Sequence, residues 1–330
     1  MKKKQKKSKG ILSTLVLLVL VAVILYSGLQ ILESTVLRPS NETVEQIPTK
    51  TIVRDGVEYF PRQDIHVMMV LGIDQAGPVQ SSKYYRNSGA ADSVMLLIFD
   101  DTKQNCSVLY LNRDTMLEMD VLGVTGDYAG TTYAQLALAH TYGTGLEDSC
   151  LNFKNTLENF LHGLTIDYYV AMNMDAIPIM NDAVGGVTVN VVDDFSLVNP
   201  TITMGELTLQ GDQVIDYVRT RKDVGDQKNV TRMARQREYV DGFLKQISKM
   251  EHENADFLLN LYTDVAPYIV TDCSAETLSS LVSRYLDYEI VDVFSPEGEN
   301  VIVNGVYEFH ADEEKLDELI VQLFYAPKRK

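Results

Sequence analysis

The chain has 330 residues, 45% of them hydrophobic and 23% charged, a globular composition that excludes a disordered or fibrous polypeptide. Its formal net charge is −17; six of its 29 basic residues are lysines in the first ten positions, so the rest sets 23 basic residues against 46 acidic ones. A body this acidic does not bind nucleic acid by bulk attraction, and three scattered cysteines (Cys106, Cys150, Cys273) provide neither a disulfide framework nor a zinc site.

The lysine tail, residues 1–10, precedes a stretch at 11–32 that carries no charge. As a helix this stretch is about 33 Å long, enough to cross a bilayer core. The preceding lysines orient it with a cytoplasmic N terminus and residues 33–330 outside the cell. A cleaved signal peptide has a shorter apolar run and a small-residue cleavage site, so an uncleaved transmembrane signal anchor is expected. Residues 33–64, punctuated by Pro39, Pro48 and Pro61, read as an extracytoplasmic spacer. Arg54-Asp55-Gly56 marks a turn between two short extended runs. An extracellular body disfavours cytoplasmic ATP or NAD(P)H, and neither a Walker A nor a G-x-G-x-x-G pattern occurs.

From residue 65 the composition changes. Short apolar runs at 66–73, 93–99 and 106–111 read as buried strands, the last two joined as a hairpin through 101–105. Helical spacing follows over 131–142 and 146–162. Strands at 168–174 and 187–192 flank a short helix at 177–184, closed by Gly185-Gly186. Further helices are expected at 211–221, 231–250, 253–264 and 275–286, then a strand at 289–294 and a terminal helix at 311–325. Strands interleaved with helices, with at least one hairpin, imply an α/β fold in which helices cover a mixed sheet.

The five histidines lie far apart without metal-ligand spacing, and no G-x-S-x-G elbow occurs. The arginines are different: Arg219, Arg221, Arg232, Arg235 and Arg237 fall within one helix end and the start of the next. Guanidinium forks bind phosphate oxygens bidentately and stay charged. A solvated helix face paired with local acids is the plainer alternative. Asp74 ends the first buried strand and Asp92 begins the second. A carboxylate pair beside arginines suits a Mg²⁺-pyrophosphate site, whereas each aspartate alone is an ordinary turn residue. Arg113 ends the third strand and reaches the same edge if the strand order permits.

Seven segments, VLGID (70–74), ADSVMLLIFD (91–100), VLYLNRDT (108–115), IDYYVAMNMDAI (166–177), DAVGGVTVNV (182–191), LTLQGDQVIDYVRTR (207–221) and RMARQRE (232–238), resemble in order those of the LytR-CpsA-Psr family. The strongest match covers 65–245 of a domain at 65–330. The resemblance implies an α/β/α sandwich with a central mixed β-sheet and a long apolar pocket for a polyprenyl tail. It implies an extracytoplasmic phosphotransferase, anchored in the cell membrane. Such an enzyme moves a glycopolymer (teichoic acid, capsule or similar) from an undecaprenyl-pyrophosphate carrier to peptidoglycan. By the same resemblance, Asp74 and Asp92 hold Mg²⁺ or Mn²⁺, with a general-base role left open for either. Arg113, Arg219, Arg221 and Arg232 are the catalytic arginines, and Gln236, Arg86, Arg235 and Asp226 are further pyrophosphate ligands. One departure is Ala90, where the family usually has an arginine. It supports one alternative, a regulatory polyprenyl-phosphate-binding membrane protein without catalysis; a third reading is a polyprenyl-pyrophosphatase using the same site with water as acceptor.

Overall fold

The computed structural model describes residues 51–328 except 55, 83–88, 124–125, 221, 227–228, 255–256, 275–276, 278–279, 282–283 and 286–287. The expected membrane segment at 11–32 lies outside the described residues, and among those residues no helix is long and apolar enough to cross a membrane.

Strands β1 (Ile52–Arg54) and β2 (Val57–Pro61) form the hairpin expected at Gly56. Strands β3 (Ile65–Ile73), β4 (Ala91–Asp100) and β5 (Asn105–Leu111) run antiparallel in succession. A second hairpin, β6 (Met116–Leu122) with β7 (Tyr128–Gln135), leads into a 3₁₀ helix at Leu136–Thr141. The helix expected over 131–142 is therefore corrected: its first half is strand. Thr131, Thr132 and Tyr133 favour extended backbone, and the strand's partly buried and exposed positions alternate with the period of two that pairing requires. Only the apolar LALA at 136–139 turns helically.

Helix α1 (Glu147–Phe160) is followed by β8 (Tyr168–Asn173), α2 (Ala176–Ala183) and the hairpin β9 (Val187–Val191) with β10 (Gly205–Leu209). Then come α3 (Gln213–Arg219), α4 (Asn229–Glu253) and α5 (Phe257–Val265). Strand β11 (Ile269–Thr271) precedes the helix expected at 275–286, which falls partly outside the described residues; 277, 280–281 and 284–285 are helical. Strand β12 (Glu289–Phe294), the hairpin β13 (Gly298–Val303) with β14 (Val306–Ala311), helix α6 (Glu313–Phe324) and β15 (Tyr325–Pro327) complete the chain.

The central sheet has the order β11-β8-β3-β4-β5-β12, with β8 parallel to β3 and β12 parallel to β5. Its middle strands are covered on both faces, which explains why they read as continuous apolar runs. On β3, Met68 and Val70 join the core beneath α2 to α5, while Val67, Met69, Leu71 and Ile73 join the core beneath α1 and α6. The result is a mixed α/β fold, a central mixed sheet with helices on each face.

The segment 52–61 of the expected spacer is part of this body. Strand β2 pairs with β15, and the Arg62 guanidinium bonds Asp100 (2.7 Å) and Asp64 (2.9 Å) at the β4–β5 turn. That turn lies at the end of the sheet opposite Asp74 and Asp92.

Candidate active site

Three strand ends meet at one edge. Asp74 follows β3, Asp92 lies near the start of β4, and Arg113 follows β5. Asp92 reaches the site because β4 bulges: Gly72 pairs with Ser93 and Ile73 with Ala91, leaving Asp92 as the extra residue. Bulges re-aim a side chain in this way, often beside active sites. The loop that closes the edge is held by backbone. Asp74 N–H donates to the Ala90 carbonyl (2.8 Å), and Gly89 has φ +81°. A Cβ at Gly89 would stand 2.8 Å from Ile73 Cγ2, so this crossing needs glycine.

The arginines arrive from the opposite layer. The guanidinium of Arg235, 4% exposed, donates to the Tyr217 carbonyl (3.0 Å), to the Thr220 carbonyl and to Asp193 (2.5 Å), and lies over the Phe195 ring. Gln236 Nε2 donates to the Val218 carbonyl (3.0 Å). These bonds satisfy carbonyls at the C-terminal end of α3 that no helical N–H reaches. They fix the direction in which Arg219 leaves that helix. Arg219 Nη2 then meets Asp74 Oδ1 at 2.5 Å, and Arg113 bonds Asp92. Arg235 is thus a buried strut, with its guanidinium engaged by protein groups.

Burial raises the Asp92 carboxyl above its ordinary value; Arg113 opposes the rise, Asp74 adds to it, and Arg219 and Arg232 oppose it. Two carboxylates and three guanidiniums therefore share one field. The structure brings together Asp74, Asp92, Arg113, Arg219, Arg232 and Gln236. Asp226 is exposed, accepts from the Thr231 hydroxyl and lines neither cavity described below. Arg86 and Arg221 lie outside the described residues.

A cavity of about 170 Å³ runs from this cluster into the core. Asp92, Arg219, Arg232 and Gln236 stand at its mouth, and Met95, Met172, Ile177, Met180, Tyr239 and Phe243 are among its walls. An apolar interior with a few convergent charged groups at the mouth suits an amphipathic ligand with an anionic head. The methionines of YYVAMNMDAIPIM were the available signal for this wall, since flexible thioethers adapt to a ligand. A second, polar cleft of about 210 Å³ continues past Arg113 to Ser295, Asn300 and Phe309. No spacing in the sequence marks those three.

The LytR_cpsA_psr family model matches residues 34–324. The chain is 22% identical over 321 residues to the polyisoprenyl-teichoic acid–peptidoglycan teichoic acid transferase TagU of Bacillus licheniformis, covering 97% of each. Among solved structures, it resembles protein gbs0355 of Streptococcus agalactiae with a TM-score of 0.62 at 21% identity, over 79% of this chain and 86% of that one. It resembles TagT of B. subtilis with a TM-score of 0.55 at 21% identity, over 79% and 90%.

Proposed function

The chain belongs to the LytR_cpsA_psr family, and from that premise we propose that it transfers a glycopolymer from a polyprenyl-pyrophosphate carrier to peptidoglycan. The observation that carries this reading is one ligand's outline: an apolar cavity ending in Arg219, Arg232 and Gln236, with Asp74, Asp92 and Arg113 beside its mouth. The similarity to a named teichoic acid transferase supports it at the level of the reaction. Undecaprenyl is the carrier the resemblance favours, and a teichoic or capsular polymer the cargo. The stretch 11–32 serves as the membrane anchor, which keeps an extracytoplasmic site near a lipid-borne donor and raises its effective concentration.

In the reaction, a sugar hydroxyl of peptidoglycan attacks the phosphorus nearest the polymer. The new O–P bond forms as the bridging P–O bond breaks, the electron pair stays on the polyprenyl phosphate, and the hydroxyl proton passes to an aspartate carboxylate. Phosphoryl transfer is accelerated mainly by positioning and charge stabilisation. Arg219, Arg232 and Arg113 supply that charge, and Arg221, two positions beyond Arg219 in the sequence, is the further arginine the resemblance assigns to it. Asp74 and Asp92 are hard oxygen donors close enough for the charge of Asp74 to act on Asp92, which fits a Mg²⁺ or Mn²⁺ bound by two carboxylates together with substrate oxygens. When bound, such an ion would neutralise charge on the phosphates.

The energy resides in the carrier's pyrophosphate, which fits an extracellular site without ATP. The test is incubation of the full chain with a polyprenyl-pyrophosphate-linked glycopolymer and peptidoglycan. A covalent polymer–peptidoglycan adduct is expected. Release of polyprenyl phosphate without an adduct would instead assign a pyrophosphatase, and binding without turnover a regulatory protein, the reading that Ala90 favours.

A further inference from the structure

The polar cleft beyond Arg113 has two different walls. Its inner wall, Asp92, Arg232 and Gln236, is shared with the mouth of the apolar cavity. Its outer wall is neutral: Asn112 at the end of β5, Ser295 after β12, and Asn300, which faces Phe309 across the β13–β14 hairpin. A lone hairpin is marginally stable, but this one is tied to the active-site strand. Phe309 N–H donates to the Asp114 carbonyl (2.8 Å). Gln135 Nε2 donates to Asp114 (3.0 Å) and to the Tyr307 carbonyl (2.7 Å). Asn112 Nδ2 stands 3.5 Å from Asn300 Oδ1. Asn300 is thereby held beside Arg113 although almost two hundred positions separate them.

We propose that this cleft is the acceptor subsite and binds a sugar ring of the glycan whose hydroxyl attacks; the inference rests on the transferase reading above. Two observations carry it. The first is position. The apolar cavity extends from the shared residues of β4 and Tyr110 of β5 toward β3 and β8, the cleft extends from them past the end of β5 to Ser295 just after β12, and Asp92 on β4 borders both. An in-line displacement places attacking and leaving oxygens on opposite sides of phosphorus. With the lipid phosphate leaving toward the apolar cavity, the acceptor must come from the β5–β12 side. The second is chemistry. Side-chain amides and a hydroxyl present paired donors and acceptors without net charge, which match sugar hydroxyl and acetamido groups rather than another phosphate. The step balances as written above: the acceptor O–H supplies the new O–P bond, and its proton goes to a carboxylate of the shared wall.

A sugar in this cleft could come from the acceptor glycan or from the donor polymer's first unit, and the test separates them. The full chain in lipid nanodiscs is titrated with an uncrosslinked glycan of alternating N-acetylglucosamine and N-acetylmuramic acid, as wild type and as Asn300→Ala. Asn300 is exposed, and the turn at Asp114 is held by Asn112 instead, so this variant spares the fold. The glycan should bind wild type and bind Asn300→Ala about three- to tenfold more weakly, the effect of one hydrogen bond. Affinity for a sugar-free polyprenyl pyrophosphate should not change. Equal glycan affinity in both proteins, or none in wild type, overturns the proposal. A loss confined to the sugar-bearing donor also overturns it, by assigning the cleft to the polymer. Glycan binding through Asn300 without any adduct would sink the transferase reading and leave the subsite standing. Adduct formation with an unchanged acceptor KM in Asn300→Ala would do the reverse.

Discussion

Arg219 and Arg235 lie sixteen positions apart in the same arginine-rich segment, yet the structure gives them opposite consequences when each is replaced by alanine. Arg219 is 44% exposed on its side chain and pairs with Asp74, itself 41% exposed. An exposed pair is worth at most about 1 kcal/mol of stability, or about 2–4 °C in a domain of this size. At the mouth of the cavity, however, loss of one charge-stabilising ligand costs on the order of 3 kcal/mol in the transition state, about a hundredfold in rate. Arg235 reverses both terms. Its removal leaves Asp193 (12% exposed) without its cation, frees the Tyr217 and Thr220 carbonyls, and takes a guanidinium from the Phe195 ring. Breaking a buried ion pair costs about 3–5 kcal/mol, so Arg235→Ala should melt roughly 10 °C lower. The assays are thermal denaturation and polymer transfer per folded molecule. Arg219→Ala should lose transfer with its melting temperature nearly intact; Arg235→Ala should lose stability first. An Arg235→Ala protein that melts like wild type but cannot transfer would refute the assignment of Arg235 as a strut.

At the other end of the sheet, Arg62 holds the Asp64 carboxyl low; for Asp100, burial pushes upward but bonds from Arg62 and Lys103 outweigh it. Lowered carboxyls stabilise the fold above their unfolded value of 3.8, and that stability is lost as pH falls through the folded values. Arg62→Met should therefore cost about 3 kcal/mol near neutral pH, with the deficit shrinking in acid; an acid-insensitive deficit in the melts would contradict this. Asp92 has the opposite sign: folding favours its protonated form, so its contribution is fully present below pH 3.8 and is lost as pH climbs through the raised value. Wild type should lose ground to Asp92→Asn in denaturant midpoint as pH rises above 3.8 and through the raised value, and a constant difference would show that burial does not govern this carboxyl. The Tyr239 hydroxyl is buried without a hydrogen-bond partner among the described residues. Tyr239→Phe should thus melt at or slightly above wild type, by about 1 kcal/mol at most; a clear loss of stability would reveal a partner for that hydroxyl.

Much of the sheet was legible because burial on both faces leaves an unmistakable trace. β3, β4, β5 and β8 appear as apolar runs within one or two residues of their observed ends, and α1 carries Phe153 and Leu157 into the core. The arginine cluster was legible as composition, but composition could not divide it. Arg219 leaves the end of α3 toward Asp74 whereas Arg235 turns back onto the carbonyls of that same end, and this depends on how α3 packs on α4. The Asp92 bulge was hidden because a one-residue slip in pairing leaves no mark in a run such as ADSVMLLIF. The β13–β14 hairpin escaped for another reason: Val301, Ile302, Val303, Val306 and Tyr307 are partly or fully exposed, so no clean alternation distinguishes the strands. Its role follows from tertiary bonds to Asp114 and Gln135, which no local pattern encodes.

The most direct test of the central claim is a crystal structure of the protein with a polyprenyl pyrophosphate. The tail is expected between Met172 and Phe243, with the phosphate oxygens within hydrogen-bond distance of Arg219 and Arg232. A ligand bound outside this cavity, or a pyrophosphate that makes no contact with either arginine, would contradict it.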